Sequence, residues 1–224
     1  MLADAVYLFP DGRQRVVTRA SGTVARPGGT EFLNRFDGAS SSPAILVGNA
    51  GVEPIAAAQP DVVLLKTSNT TLGGDLERLG LPVVYLDFEM PEHYQDELGI
   101  LGGLLQAGDR AKELAAYYQS VSDDVRTRTA SISAGRRPRT LLLQYTERGG
   151  TVAFGVPPPD WIQTRLVELA GGIPVWKDVV MHGGWTIVNL EQIAAWDPDV
   201  VLVVHYADSP SGAVANIMAD AKWQ

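Results

Sequence analysis

The apolar residues of the chain gather in short runs bounded by polar breaks, and the clearest run occurs twice. Residues 51–66 read GVEPIAAAQPDVVLLK and residues 189–204 read NLEQIAAWDPDVVLVV; laid together without gaps they agree at nine of sixteen positions. Glu53, Ile55, Pro60 and Asp61 fall on Glu191, Ile193, Pro198 and Asp199 at one constant offset. A repeat this widely separated is no solenoid period and predicts two similar lobes in one chain. Each copy also has a physical logic. Glu-x-Ile-Ala-Ala is made of good helix formers. Proline stops the helix, because the residue before it avoids the right-handed α region. Asp marks the turn, and Val-Val-Leu is a strand apolar on both faces, as in a buried parallel sheet.

The remaining pattern fills in around these copies. Residues 6–9 and 15–18 flank Pro10-Asp11-Gly12, a strong turn signal, and predict a hairpin or two short strands. A glycine-rich loop covers 21–30, a short helix 30–36 with Thr30 as its cap, and a strand 45–47. After the first copy come a polar loop and cap at 67–71, a helix closed by Gly80, and a strand at 82–87. Residues 91–133 hold no strand pattern. Pro91 and Glu92 suit a helix start, Gly102-Gly103 weaken the segment, and Gly108 ends it. Asp109 then caps a second helix with Leu114, Tyr117, Tyr118, Val121 and Val125 at three- and four-residue spacings. Continuous to residue 133, it is about 36 Å long at 1.5 Å per residue.

Beyond the sequence GRRPR at 135–139, a strand at 140–145 opens a second lobe. A turn at 147–150 and a return at 152–156 follow, then a helix at 161–170 and a strand at 174–176. An irregular loop at 177–186 leads into the second copy, and a helix covers 212–222. The first copy is followed by helix and strand, the second by helix alone. This predicts a C-terminally incomplete second lobe with an open sheet edge. The expected class is α/β: two parallel-sheet lobes, 1–90 and 138–224, joined by a long α-helical segment, 91–137.

Composition narrows the function classes. Of 224 residues, 46% are hydrophobic and 20% charged, ordinary for a globular protein, and the formal net charge is −8. That balance argues against a nucleic-acid binder, which needs basic patches. No apolar run approaches the roughly 20 residues of a membrane span. No signal peptide precedes the first apolar run, which predicts either a cytoplasmic protein or one that begins after processing. The absence of cysteine excludes disulfides, thiolate metal sites and a cysteine nucleophile.

Parallel α/β sheets bind ligands beyond the carboxyl ends of their strands. That rule selects 19–30, 66–69 and 88–90 in the first lobe. In the second it selects 145–148, 182–185 and 205–206. The candidate ligand-binding residues are therefore Arg19, Lys66, Ser68, Glu89, Tyr145, His182, Trp185, His205 and Tyr206. His182 is the candidate metal ligand, with Trp185 able to stack on a ring system; the plainer alternative is a surface histidine beside a packed tryptophan. His205 and Tyr145 have structural alternatives too, since a rim tyrosine needs one hydrogen bond. Arg19 and Lys66 suit anionic ligand groups, or else ion pairs and solvent. Trp161, Trp176 and Trp196 are expected to pack rather than touch ligand. The glycines at 22, 28 and 29 lack dinucleotide spacing, and no Walker, G-x-S-x-G or H-E-x-x-H pattern occurs. No catalytic residue is predicted.

The paired E-x-I-A-A-x-x-P-D-V-V-L units around a long helix, together with LVELAGGIPVW at 166–176, resemble the substrate-binding proteins of ABC importers for metal chelates. That resemblance implies the helical-backbone, class III periplasmic-binding-protein fold, with ligand held between the lobes. It implies capture of a ferric siderophore, haem or cobalamin, delivery to an ABC permease, no intrinsic cofactor and a ligand containing iron or cobalt. It also implies a monomer outside the cytoplasm, periplasmic or extracellular, with lipoprotein anchoring as one mode of retention. Some members bind molybdate or tungstate. Acids such as Asp75, Glu77 and Asp220 are expected to meet the importer. The rival readings are a two-domain α/β enzyme, glycosyltransferase-like or nitrogenase-like, and a cytoplasmic sensor. Lack of cysteine disfavours an iron–sulfur enzyme, and lack of a nucleotide motif weakens the glycosyltransferase reading.

Overall fold

A computed structural model describes residues 2–20, 44–46, 51–148, 151–178, 184–205 and 210–219. The expected loop and helix at 21–36, the glycines there, His182 and Tyr206 lie outside the described residues. Contacts divide the chain into two compact units, Met1–Phe88 with Glu92–Tyr118, and Glu89–Pro91 with Gln119–Gln224.

The first unit begins with helices α1 (Leu2–Tyr7) and α2 (Gly12–Arg15), where the sequence predicts strands. The physical reason is packing. Apolar residues recur at 2, 5, 6 and 9, a helical spacing, and Ala5, Val6 and Phe9 are buried against Leu86, Leu98 and Leu101. The turn signal holds: Asp11 is left-handed at φ 55°, and the chain turns so tightly that a Cβ on Gly12 would lie 1.9 Å from the Val6 carbonyl oxygen. Strand β1 (Thr18–Ala20) pairs in parallel with β2 (Ala44–Leu46). Helix α3 (Val52–Ala57), β3 (Val63–Leu65), α4 (Thr70–Arg78) and β4 (Val83–Tyr85) follow, and β3 pairs in parallel with β4. Ile55, Leu65 and Leu76 form a small core beneath that pair.

A single 3-10 turn, Pro91–His93, precedes α5 (Tyr94–Leu104). Helix α6 (Gly108–Thr129) has 22 residues, about 33 Å at 1.5 Å per residue. It starts at Gly108, so Asp109 lies in the first turn instead of capping it, and it stops short of residue 133. Leu114 is buried as expected, but Tyr117 and Val121 are exposed. The inward stripe runs through 111, 114, 115, 118, 122, 125 and 129, rotated off the predicted one. Helix α5 ends at Leu104, before Gly108, and crosses Gly102-Gly103 unbroken. Gly102 is where α5 and α6 approach: a Cβ there would sit 2.5 Å from the Ala111 Cβ. Gly103 faces open space.

The second unit is built on a mixed sheet, where two parallel-sheet lobes were expected. Strand β5 (Arg139–Arg148) runs antiparallel to β6 (Thr151–Val156), which is antiparallel to β8 (Thr186–Val188). The same β5 runs parallel to β7 (Ile173–Pro174) and to β9 (Val200–Val204). The β5–β6 hairpin is the predicted return at 152–156, and it introduces the antiparallel pairs. Helices α7 (Ile162–Leu169), α8 (Leu190–Trp196) and α9 (Pro210–Ala219) complete the unit. Trp176 and Trp196 are buried in the core with Leu141 and Leu143, as expected, and the Trp176 Nε1–H donates to the Pro157 carbonyl at 2.8 Å. Among the described residues β9 pairs with β5 alone, and Val200, Val201 and Leu202 remain exposed.

The two repeat copies fold alike and lie in different sheets. Helix α3 leads to β3 and α8 to β9. The residue before each proline, Gln59 and Asp197, is left-handed, at φ 49° and 42°. In the second copy Arg139 locks this corner. Its guanidinium donates to the carbonyls of Trp196 at 2.6 Å and Asp197 at 3.1 Å, and its backbone N–H donates to the Asp199 carboxylate at 2.7 Å.

Two stability changes follow from these contacts. Arg139→Ala removes a charged donor from the end of α8 and is expected to cost about 1 kcal/mol, read as a lower urea midpoint. Gly102→Ala is expected to cost about 1–3 kcal/mol by overpacking. Gly103→Ala, one residue on, should be neutral or stabilising by about 0.5–1 kcal/mol. Equal effects of the two glycine substitutions would contradict the close α5–α6 approach.

Candidate functional site

Each unit places polar groups beyond the carboxyl ends of its parallel strands. In the first, these are the loops after β3 and β4. Lys66 directly follows β3 and is half-buried, Ser68 is exposed in the turn beyond it, and the Asn69 N–H closes that turn on the Lys66 carbonyl at 2.9 Å. Thr67 joins the two loops. Its N–H donates to Asp87 Oδ1 at 3.0 Å and its hydroxyl donates to Asp87 Oδ2.

The loop after β4 has an unusual backbone. Phe88 is buried and left-handed at φ 51°, an outlier for so bulky a residue. Neighbouring side chains satisfy both of its backbone groups. The Asp87 and Phe88 N–H groups donate to the Glu97 carboxylate at 2.7 and 3.0 Å, and the Tyr94 hydroxyl donates to the Phe88 carbonyl at 3.2 Å. The Tyr94 ring lies 5.8 Å from the Phe88 ring. A strained residue persists only where its surroundings over-determine it, and such residues cluster at binding and switch segments. Glu89 and Met90 leave from this turn, and Glu89 is half-buried. Arg19, expected beyond a strand, instead lies inside β1 because its backbone pairs with Ile45 of β2.

In the second unit the strand-end rule holds for His205 and needs correction for Tyr145. Tyr145 lies inside β5, not at its end, because the polar residues Thr146–Arg148 continue the strand by pairing with β6. Its position is nevertheless distinctive, since the parallel pairing of β5 with β9 stops one residue earlier, at Gln144 and Val204. His205 is the next residue after β9. Its Nδ1 lies 3.2 Å from the Tyr145 carbonyl oxygen, and the two rings meet edge-to-face at 5.6 Å. The Tyr145 hydroxyl donates to Glu147 at 3.1 Å and accepts from Asn216 of α9 at 3.3 Å. The ring itself is buried with Ala213 and Ile217. Tyr145 thus holds the end of β9 and α9 together.

Trp185 is half-buried and meets Trp161 edge-to-face at 6.0 Å. It backs onto Gly155 of β6, where a Cβ would lie 3.4 Å from the Trp185 Cβ. The structure therefore brings His205 to Tyr145, and Lys66 and Ser68 to the Thr67–Asp87 link. Trp185 joins Trp161 instead. Sequence reasoning missed Thr67, Asp87, Glu97 and Asn216. The first two lay inside or beside selected loops. Glu97 is an acid in the first turn of α5, which reads as an ordinary dipole partner. Among the described residues no three His, Asp or Glu side chains converge as a metal cage. No described helix is long and apolar enough to cross a membrane.

The first unit offers hydroxyl and carboxylate groups beyond its strands, and the second, taken by itself, offers an imidazole beyond β9 and an indole before β8; each set suits non-covalent recognition. The model of the periplasmic binding protein family matches residues 45–224. No curated protein matches the chain in sequence. Among solved structures, the chain is similar to the molybdate-bound periplasmic binding protein of a Haemophilus influenzae ABC transporter: 18% identity, 99% of this chain and 70% of that one, TM-score 0.76. It is similar to a periplasmic haem-binding protein from Pseudomonas aeruginosa at 16% identity, covering 92% and 78%, TM-score 0.65. It is also similar to an ABC transporter substrate-binding protein from Listeria monocytogenes at 22% identity, covering 83% and 73%, TM-score 0.60. At these identities the likeness concerns the fold, which is that of the class III periplasmic binding proteins. The family match spans most of the chain, and the chain belongs to the periplasmic binding protein family, the extracytoplasmic substrate-binding components of ABC importers.

Proposed function

We propose that the protein captures a bulky metal chelate, of the siderophore, haem or corrinoid kind, and hands it to an ABC permease without altering it chemically. The observation that carries the reading is the family match over residues 45–224. The chelate class is supported by His205, an imidazole one residue beyond β9, and by Trp185, an indole just before β8 in the same sheet. His182, the metal ligand expected from the sequence, lies outside the described residues, and iron or cobalt is the metal such a ligand carries. Monomeric action outside the cytoplasm, with lipoprotein anchoring, completes the proposal. A second reading, capture of an oxyanion such as molybdate or tungstate on the same fold, is favoured by the molybdate-bound neighbour.

A thermal-shift screen separates them. Ferric siderophores, haem and cobalamin form one panel, molybdate and tungstate the other. A true ligand at 100 times its Kd stabilises by about 2.7 kcal/mol, a shift of several degrees. A rise with the first panel alone supports the chelate, and a rise with the second alone supports the oxyanion. No rise with either would remove both, and turnover of a bound compound would remove the transport reading.

The Glu97 contact makes a separate prediction. Glu97→Gln loses the ionised acceptor shared by the Asp87 and Phe88 amides. Both amides should then exchange hydrogen faster, and affinity for the ligand found in the screen should fall about tenfold, the size of one charge-assisted hydrogen bond. Unchanged exchange at Phe88 would show that Glu97 does not hold the turn.

A further inference from the structure

His205 has two ring nitrogens, and the structure decides which of them carries the hydrogen. Nδ1 lies 3.2 Å from the Tyr145 carbonyl oxygen. A carbonyl oxygen only accepts, so the bond exists only if Nδ1 carries the hydrogen. In the neutral imidazole this leaves the lone pair on Nε2. The ring is held in orientation as well, edge-on to Tyr145 at 5.6 Å. Tyr145 in turn is anchored by Glu147, Asn216 and the α9 core. Among the described residues Nε2 has no hydrogen-bond partner, and the half-buried ring sits one residue beyond β9, where a parallel sheet presents ligand groups.

From this geometry we propose that His205 Nε2 is a coordinating atom for the ligand's metal, and that the ligand class is a chelate with one coordination position open to imidazole. The claim rests on the chelate reading above for its cargo and on the tautomer for its atom. Histidines that bind metals commonly donate the other ring N–H to a backbone carbonyl or carboxylate, which fixes the tautomer and raises the basicity of the ligating nitrogen. The Tyr145 carbonyl fills that role here. Iron, copper, nickel and zinc accept imidazole nitrogen. No cluster of protein ligands is needed, because the chelator supplies the other donors. A bare hydrated ion, which needs several protein ligands, is the wrong cargo for one imidazole.

The test isolates His205. The chain has three histidines, so a His93→Ala/His182→Ala variant leaves His205 alone. Long-range proton–nitrogen NMR on the histidine-labelled variant above the imidazole pKa should show the Nδ1–H tautomer. Titration with copper(II)–iminodiacetate, a small chelate with open positions, should give one equivalent bound. That binding should disappear when His205→Ala is added, with the circular dichroism spectrum unchanged. An Nε2–H tautomer, or copper binding that survives loss of His205, would overturn the inference. So would absence of binding by the variant that keeps His205. In the wild-type chain, His205→Ala should weaken ferric porphyrin binding tenfold or more and remove its imidazole-coordinated absorption band, with added imidazole restoring the band. Equal affinity and spectrum in the two proteins would also overturn it. A failed ligand screen with copper–iminodiacetate binding intact would defeat chelate transport. A successful screen with no binding at His205 would defeat only the role of this nitrogen.

Discussion

The structure depends on one corner made twice, the left-handed residue that joins a short helix to a proline and then to a buried strand. Proline at 60 and 198 denies the preceding residue the right-handed helical region. Gln59 and Asp197 take positive φ instead, and the chain leaves the helix and enters the sheet. Neither residue is glycine, so each carries a steric cost that the surrounding fold must offset. In the second unit Arg139 contributes by donating to the carbonyls on either side of the corner. Once the corner is made, the register of the following strand determines which residues emerge at its carboxyl end.

The offset that relates the copies also relates the emerging residues: Thr67 and His205 occupy equivalent positions. Each reaches across its own strand end to the neighbouring strand's segment, Thr67 to the Asp87 carboxylate and His205 to the Tyr145 carbonyl. The scaffold was duplicated and the chemistry diverged. In the first unit the link ends on an ionised acceptor, continues through the strained Phe88 turn and is fixed by Glu97. In the second it ends on a neutral carbonyl and, among the described residues, leaves one imidazole nitrogen without a hydrogen-bond partner. One unit thus spends its strand-end polarity on shaping a loop, and the other on orienting a side chain.

The pattern of the sequence revealed what local rules control. The repeat corners were legible because proline acts through the adjacent residue and because strand and helix have different periods. The long helix was legible in existence, yet its inward stripe was misplaced, since Tyr117 and Val121 suit a core by type and stay exposed. The opening segment was misread because Pro-Asp-Gly between apolar residues is also a hairpin signal. Burial of Ala5, Val6 and Phe9 against Leu98 and Leu101, far along the chain, settled it as helix. The extent of β5 escaped notice because Thr146–Arg148 are polar and owe their strand conformation to pairing with β6. Glu97 was invisible as a site residue, since its role depends on two backbone amides at the end of another element.

These outcomes separate what the fold determines from what it leaves open. Neighbours of this architecture include a molybdate-bound and a haem-binding protein, so backbone topology does not specify cargo. Cargo is specified by the few side chains beyond the strands and by the bonds that orient them. A tyrosine in such a place would commonly be read as a ligand group. Here its hydroxyl is engaged by Glu147 and Asn216, and its ring is buried, so its available contribution is through the backbone carbonyl that sets the histidine. In the proposed coordination the more exposed residue meets the ligand while the more buried one sets its tautomer. A fold that keeps its corners and changes only this outer pair can exchange one strand-end side chain for another without disturbing the core beneath.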